Sequence, residues 1–205
     1  MTYPFDLSLV ELIFISLLLF VSAAIQGILG FGFAVISSPI LVQIEPLLVP
    51  QILSLLALPM AFRIYQREKK EVDWKPFKFL FLGRIIGGPL GLLLLINLNE
   101  KLLSISVGAI VLVAGIATLF NWTVNRNNNS SWIAGTLSGI FAMIAGVGGP
   151  PIAILYRGAS GKEFRPSLNA VFTFGIMITL GLLLFSGEIY SCLLYTSDAA
   201  DDTTG

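Results

Sequence analysis

The chain has 205 residues, of which 56% are hydrophobic and 12% charged, and its 12 Lys and Arg balance 12 Asp and Glu. A mean hydropathy of +0.88 sets it apart from soluble domains and reads as an all-α, polytopic membrane protein whose main partner is the lipid bilayer. The even charge balance gives nucleic acid no electrostatic footprint. Histidine is absent and Cys192 is the single cysteine, which removes His proton relays, Ser–His nucleophiles, His or Cys metal clusters and an internal disulfide. No cofactor, metal or catalytic residue is therefore expected, and the chain is not read as an enzyme.

A hydrocarbon core about 30 Å thick needs roughly 20 apolar residues in a helix. That length predicts spans near 8–29, 48–66, 77–97, 101–121, 131–149 and 166–187. The first apolar run has no Lys or Arg before it and is long for a signal core, so it reads as a membrane helix rather than a secretory signal. Residues 30–47, with Ser37, Ser38 and Pro39, are too short for a comfortable span and read as a re-entrant or broken helix. Residues 150–158 hold the same place after the fifth span. Trp74, Trp122 and Trp132 fall at predicted span ends, where the headgroup level suits an amphipathic ring. Arg63, Arg67, Lys69, Lys70, Lys75 and Lys78 crowd one loop, which the positive-inside rule makes cytoplasmic. Counting spans from that loop puts the N-terminus inside as well and the loop around Arg157, Lys162 and Arg165 outside.

Two glycine-rich breaks interrupt this pattern, GILGFGF at 27–33 and AGVGGPP at 145–151. Gly30 and Gly146, Gly32 and Gly148, and Pro50 and Pro166 are all separated by 116 positions (146 − 30, 148 − 32, 166 − 50). A single offset predicts an internal repeat, with residues 1–121 as a first transmembrane repeat and 122–190 as a partial second one. A complete duplication would hold four helices in each half, of which about six are present. Residues 191–205, SCLLYTSDAADDTTG, leave the apolar pattern and resemble translated adapter read-through, so they are read as a polar, non-native tail.

A helix broken inside the membrane turns unpaired N–H groups and a positive dipole end into the interior, which suits an anion. Gly30, Gly32, Gly146, Gly148, Gly149 and Pro150 are the candidate residues of such a site, and the alternative for them is close helix packing. Arg84, a charge inside the third span, is either an anion ligand or a cation that snorkels to the interface. Arg165 and Asn169, one turn apart, either offer a cation and an amide donor to an oxyanion or mark an interfacial helix start. Gln26 either lines the same cavity or satisfies freed backbone groups. Gly83, Gly87 and Gly91, at four-residue spacing, read as a tight helix contact. Carboxylates sit only near predicted span ends, so no buried acid stands ready to carry a coupling proton.

The segments GILGFGFAVISSPIL and GVGGPPIAILYRGASGKEFRPSLNAVF resemble the sulfite exporter TauE/SafE family of bacterial and archaeal membrane transporters, over about residues 8–190. The resemblance implies duplicated four-helix halves, a multi-pass protein of the cytoplasmic membrane, and outward movement of sulfite, sulfonates or related small sulfur-containing anions. Gly30, Gly32, Gly146, Gly148, Gly149, Pro150, Arg165 and Asn169 carry over as motif positions. Against that family pattern the final pair of helices is missing. The residues themselves leave a passive anion channel and a non-transporting membrane scaffold subunit as alternatives, and they leave a homo-oligomeric assembly open.

Overall fold

A computed structural model describes residues 8–44, 49–119 and 124–187. Trp122, Cys192 and the tail at 191–205 lie outside the described residues. Every regular element among the described residues is helical: α1 (Leu9–Leu29), α2 (Phe33–Leu41), α3 (Val49–Glu68), α4 (Trp74–Leu95), α5 (Glu100–Leu119), α6 (Asn128–Ala145), α7 (Gly149–Leu155) and α8 (Gly161–Phe185), with a 3₁₀ turn at Lys69–Glu71. Helices α1, α4 and α8 are both long and apolar enough to cross a membrane. Their outer faces carry exposed Val10, Phe20, Leu82, Ile86 and Met177, the surface that lipid rather than water would cover.

Helix ends follow local chemistry. Ser8 caps α1 through a reciprocal capping box with Glu11, and Asn127 caps α6 in the same way with Ser130. Both helices stop at a glycine in the left-handed region, Gly30 at φ 86° and Gly146 at φ 68°, a conformation in which any other L-residue would be strained. The order of a long helix, a glycine break, a short helix and a long helix thus occurs twice, in α1–α2–α3 and in α6–α7–α8. Helices α4 and α6 begin three residues before the expected spans, and two boundaries differ by more. Helix α6 stops at Ala145 rather than 149, because Gly146 caps it. Helix α8 starts at Gly161, so Pro166 lies inside it instead of opening it.

The tightest packing joins α4 to α6. A Cβ at Gly87 would come 2.1 Å from the Thr136 carbonyl oxygen, one at Gly83 2.2 Å from that of Trp132, and one at Gly135 2.1 Å from that of Leu80. Small residues on both helices let the backbones touch, as the Gly83–Gly87–Gly91 spacing predicts.

Interhelical bonds fix the direction of each helix. Arg165, in the first turns of α8, bonds the Gly27 carbonyl near the end of α1 and approaches Glu68 at the end of α3. The Asp73 N–H, just before α4, donates to Ser167 Oγ of α8. Arg126, just before α6, pairs with Asp73 and Glu163. The ends of α1 and α3 and the starts of α4, α6 and α8 therefore share one pole, which carries the basic loop. This corrects two sequence expectations. The loop around Arg157 and Arg165 lies on the same side as the basic loop, and the N-terminus of α1 lies on the opposite side. The span count erred because α2 carries the chain back toward the pole where α1 begins, so α3 runs parallel to α1.

Candidate functional site

The two breaks meet at one small cavity of about 30 Å³. Its walls come from the end of α1 and the start of α2 (Gln26, Phe31, Gly32), from α4 (Arg84), from the second break (Gly146, Gly148, Gly149) and from α8 (Phe172, Ile176). That volume holds about two waters.

Arg84 dominates the chemistry of this space. The side chain is 2% exposed and makes no ion pair among the described residues. One guanidinium nitrogen, Nη1, donates to Ser138 Oγ at 2.9 Å, and Ser138 Oγ donates in turn to the Gly148 carbonyl at 2.6 Å. Arg84 Nε is buried without a partner. The sequence alternative of a snorkelled cation is set aside by this burial. A desolvated guanidinium with no carboxylate beside it costs several kcal/mol, and a bound anion is the natural compensation.

Gln26 works in both of the ways the sequence left open. Its Oε1 accepts from the Phe33 N–H at 3.3 Å, closing one of the free donors at the start of α2. Its Nε2 is buried without a partner and belongs to the cavity wall. Ala34 and Val35, the next residues of α2, also line the cavity. Their first-turn N–H groups have no intrahelical acceptor.

The second break differs from the expected half-helix anion site. Helix α7 has only seven residues, and Pro150 and Pro151 occupy its first turn, so two of the donors such a site needs are missing. Positive charge at this break comes from Arg84 instead. Gly148 adopts φ −85°, open to any residue, so its constraint is space: a Cβ there would lie 2.8 Å from Arg84 Nη1 and 3.1 Å from Ser138 Oγ. Gly146 packs against Leu53 of α3.

Arg165, Asn169 and Gly30 form a separate strut rather than part of the cavity. Asn169 Nδ2 donates both to the Gly30 carbonyl at 2.9 Å and to the Arg165 carbonyl at 2.8 Å. Its amide donors are thus spent on the first break and on its own helix, and only its Oδ1, an acceptor, is free. Arg165 Nη2 donates to the Gly27 carbonyl at 2.7 Å, while Nη1 lies 3.5 Å from Glu68. Pro150 is buried within α7. At the basic pole, outside the spanning helices, Arg126 stacks 5.0 Å above the Tyr156 ring, and burial pushes the Tyr156 phenol up to about 12.

Two contributors escaped the sequence reading: Ser138 orients Arg84, and Gly175 of α8 supplies the space into which Arg84 lies. Isolated small or polar residues in apolar helices were the available signal. Among the described residues no group of three or more His, Cys, Asp or Glu is placed to hold a metal ion.

A helical bundle whose two broken helices enclose a buried, unpaired arginine belongs to the class of polytopic membrane transporters. The family model described as "Sulfite exporter TauE/SafE" matches residues 15–196, and the chain belongs to that family. It is accordingly a membrane transporter of sulfite or related anions. No curated protein and no solved structure matches it.

Proposed function

We propose that this transporter exports a small sulfur-containing oxyanion, sulfite or an organosulfonate, across the cytoplasmic membrane, and binds it in the cavity between the two breaks. The observation that carries this reading is Arg84: buried, without an ion pair, and flanked by a second unpartnered donor in Gln26 Nε2. The donor set suits an oxyanion, since the guanidinium supplies charge while Gln26 and the first N–H groups of α2 supply direction. Organic sulfonates present the same three-oxygen face on a carbon stem, and Phe31, Phe172 and Ile176 offer that stem an apolar wall.

The small volume fits a state in which the walls must part to admit sulfite. Two antiparallel sets, α1–α2–α3 and α6–α7–α8, hinged on their glycine breaks, could rock against each other and open the cavity to one pole at a time. On this reading residues 1–121 and 122–190 are the two repeats, with α4 moving together with the α6 it packs against, and a homo-oligomer is not required.

The test is sulfite and sulfonate efflux from proteoliposomes carrying the protein, alongside Arg84→Lys and Arg84→Met. Saturable flux in wild type, reduced in Lys and abolished in Met, is the expected result. Non-saturating flux would favour a passive channel. Absence of flux for every sulfur anion tested, from folded protein, would overturn the substrate assignment and leave a scaffold role.

A further inference from the structure

We propose a second anion site in this protein, a vestibule at the basic pole in which the Glu68 carboxylate is a tethered competitor for the transported oxyanion. The site deepens the transport reading above and rests on it for the identity of the ligand.

A cleft of about 580 Å³ opens beside the ends of α1 and α3, lined by Arg63 and Arg67 of α3, Arg165 of α8 and the backbone of Gly27. Three guanidinium groups around one volume repel one another unless an anion stands among them. One carboxylate already bridges two of them from the edge of the cleft. A single oxygen of Glu68 lies 2.7 Å from Arg67 Nη2, 3.2 Å from Arg67 Nε and 3.5 Å from Arg165 Nη1. Two of the three cations therefore share one carboxylate, and the third, Arg63, is left over. Arg63 is exposed and has no ion pair among the described residues, and Arg165 Nε is buried without a partner. The arrangement has spare donors for a ligand with three oxygens.

The distances also say how the resident anion gives way. Glu68 is held closely by Arg67, its sequence neighbour, and only loosely by Arg165 across the cleft. An incoming oxyanion can take the Arg165 side while Glu68 stays with Arg67 or swings to solvent. Arg165 keeps its grip on the Gly27 carbonyl, and one turn further along α8 Asn169 holds the Gly30 carbonyl. The vestibule is thus joined to the first break through two hydrogen bonds. Competition from Glu68 keeps binding weak, which a site that passes its ligand onward requires, while the net positive field gathers anions from solution.

An anionic lipid headgroup offers the same oxygens as free sulfite, so the test separates the two. Radiolabelled sulfite binding is measured on purified Arg84→Met protein, which lacks the central counter-ion, with and without Glu68→Gln. The partly exposed pairs predict that Glu68→Gln tightens binding roughly two- to fivefold and that Arg63→Gln loosens it by a similar factor. The same Glu68→Gln change in the otherwise native protein should lower the KM for efflux in vesicles of zwitterionic lipid. Binding that ignores both substitutions overturns the proposal, as does a KM change that appears only when phosphatidylglycerol is present. Because the binding arm needs no flux, failure of the transport reading would leave the vestibule measurable on its own, and a flat binding response would sink the vestibule while leaving transport intact.

Discussion

Gly175 and Arg84 share a space that holds only one of two groups: a Cβ built on Gly175 would come within 2.0 Å of Arg84 Nε and 2.4 Å of its Cδ. The arginine is long enough to reach from α4 onto the backbone of α8 only because position 175 has no side chain. Helix α8 therefore carries an imprint of a residue 91 positions earlier (175 − 84).

Gly175→Ala should push the guanidinium off its seat. Overpacking of this kind costs about 1–3 kcal/mol, and transport should fall with it because the charge leaves the cavity. A double variant, Gly175→Ala with Arg84→Ala, whose side chain ends before the δ carbon, should recover most of the lost thermal stability and none of the flux. Thermal unfolding in detergent, with efflux on the same preparations, checks both halves. Equal destabilisation in the single and double variants would mean that Arg84 is not what the methyl group strikes.

Ser138 is the bridge between Arg84 and the second break, accepting from Nη1 and donating to the Gly148 carbonyl. Ser138→Ala leaves two buried groups short of a partner at once, at about 1–3 kcal/mol for each. Efflux should drop by about tenfold or more, chiefly through a higher KM if the arginine loses its aim. Ser138→Cys, nearly isosteric, should recover only part of the loss.

Much of the fold was legible because its signals are local. A glycine that ends a helix in the left-handed region, a proline pair a few residues on and an apolar run of membrane length each act within a few positions, so the breaks at Gly30 and Gly146 follow from the residues immediately around them. The candidate site was legible in its members and not in their pairing. Arg84 stood out as a charge in an apolar helix, yet nothing in linear order says that it meets Ser138 and Gly175. Asn169 was noticed as an amide donor, but the acceptors that consume its donors, Gly30 and Arg165 carbonyl oxygens, are defined only once α1 and α8 pack. The sidedness of the chain went wrong for a similar reason: whether a nine-residue helix such as α2 returns or proceeds depends on what covers it.

Asn169→Ala should release the Gly30 carbonyl and the first break with it. Loss of that bond leaves a buried acceptor unpaired, a cost of about 1–3 kcal/mol. Asn169→Asp should be worse, since a carboxylate would face two carbonyl oxygens where an N–H₂ group stood. Limited proteolysis around residues 27–33, compared between the two variants and wild type, tests the order.

Gly87→Ala and Gly108→Ala differ by one methyl group each and should behave in opposite ways. At Gly87 the added carbon meets the Thr136 carbonyl oxygen at 2.1 Å, and backbone cannot step aside as a side chain can. At Gly108, on α5, it meets nothing within 4 Å. Gly87→Ala should spread the α4–α6 pair and yield little monodisperse protein in size-exclusion chromatography, whereas Gly108→Ala should match wild type or gain a few tenths of a kcal/mol from helix propensity. Two equally well-behaved variants would contradict the close packing of these helices.

The reversed sidedness of α1 is open to direct labelling. Ser8 lies at the pole where α1 begins, and Lys70 lies on the 3₁₀ turn of the opposite, basic pole. In a Cys192→Ser background, the positive-inside rule predicts that Ser8→Cys reacts with a membrane-impermeant maleimide on intact cells and that Lys70→Cys reacts only after permeabilisation. Labelling of both from one side would contradict the parallel course of α1 and α3. Labelling of each from the opposite side to that expected would preserve the fold and invert the membrane, placing the Arg63–Arg67–Arg165 vestibule outside and making it a site of capture from the exterior or of release to it.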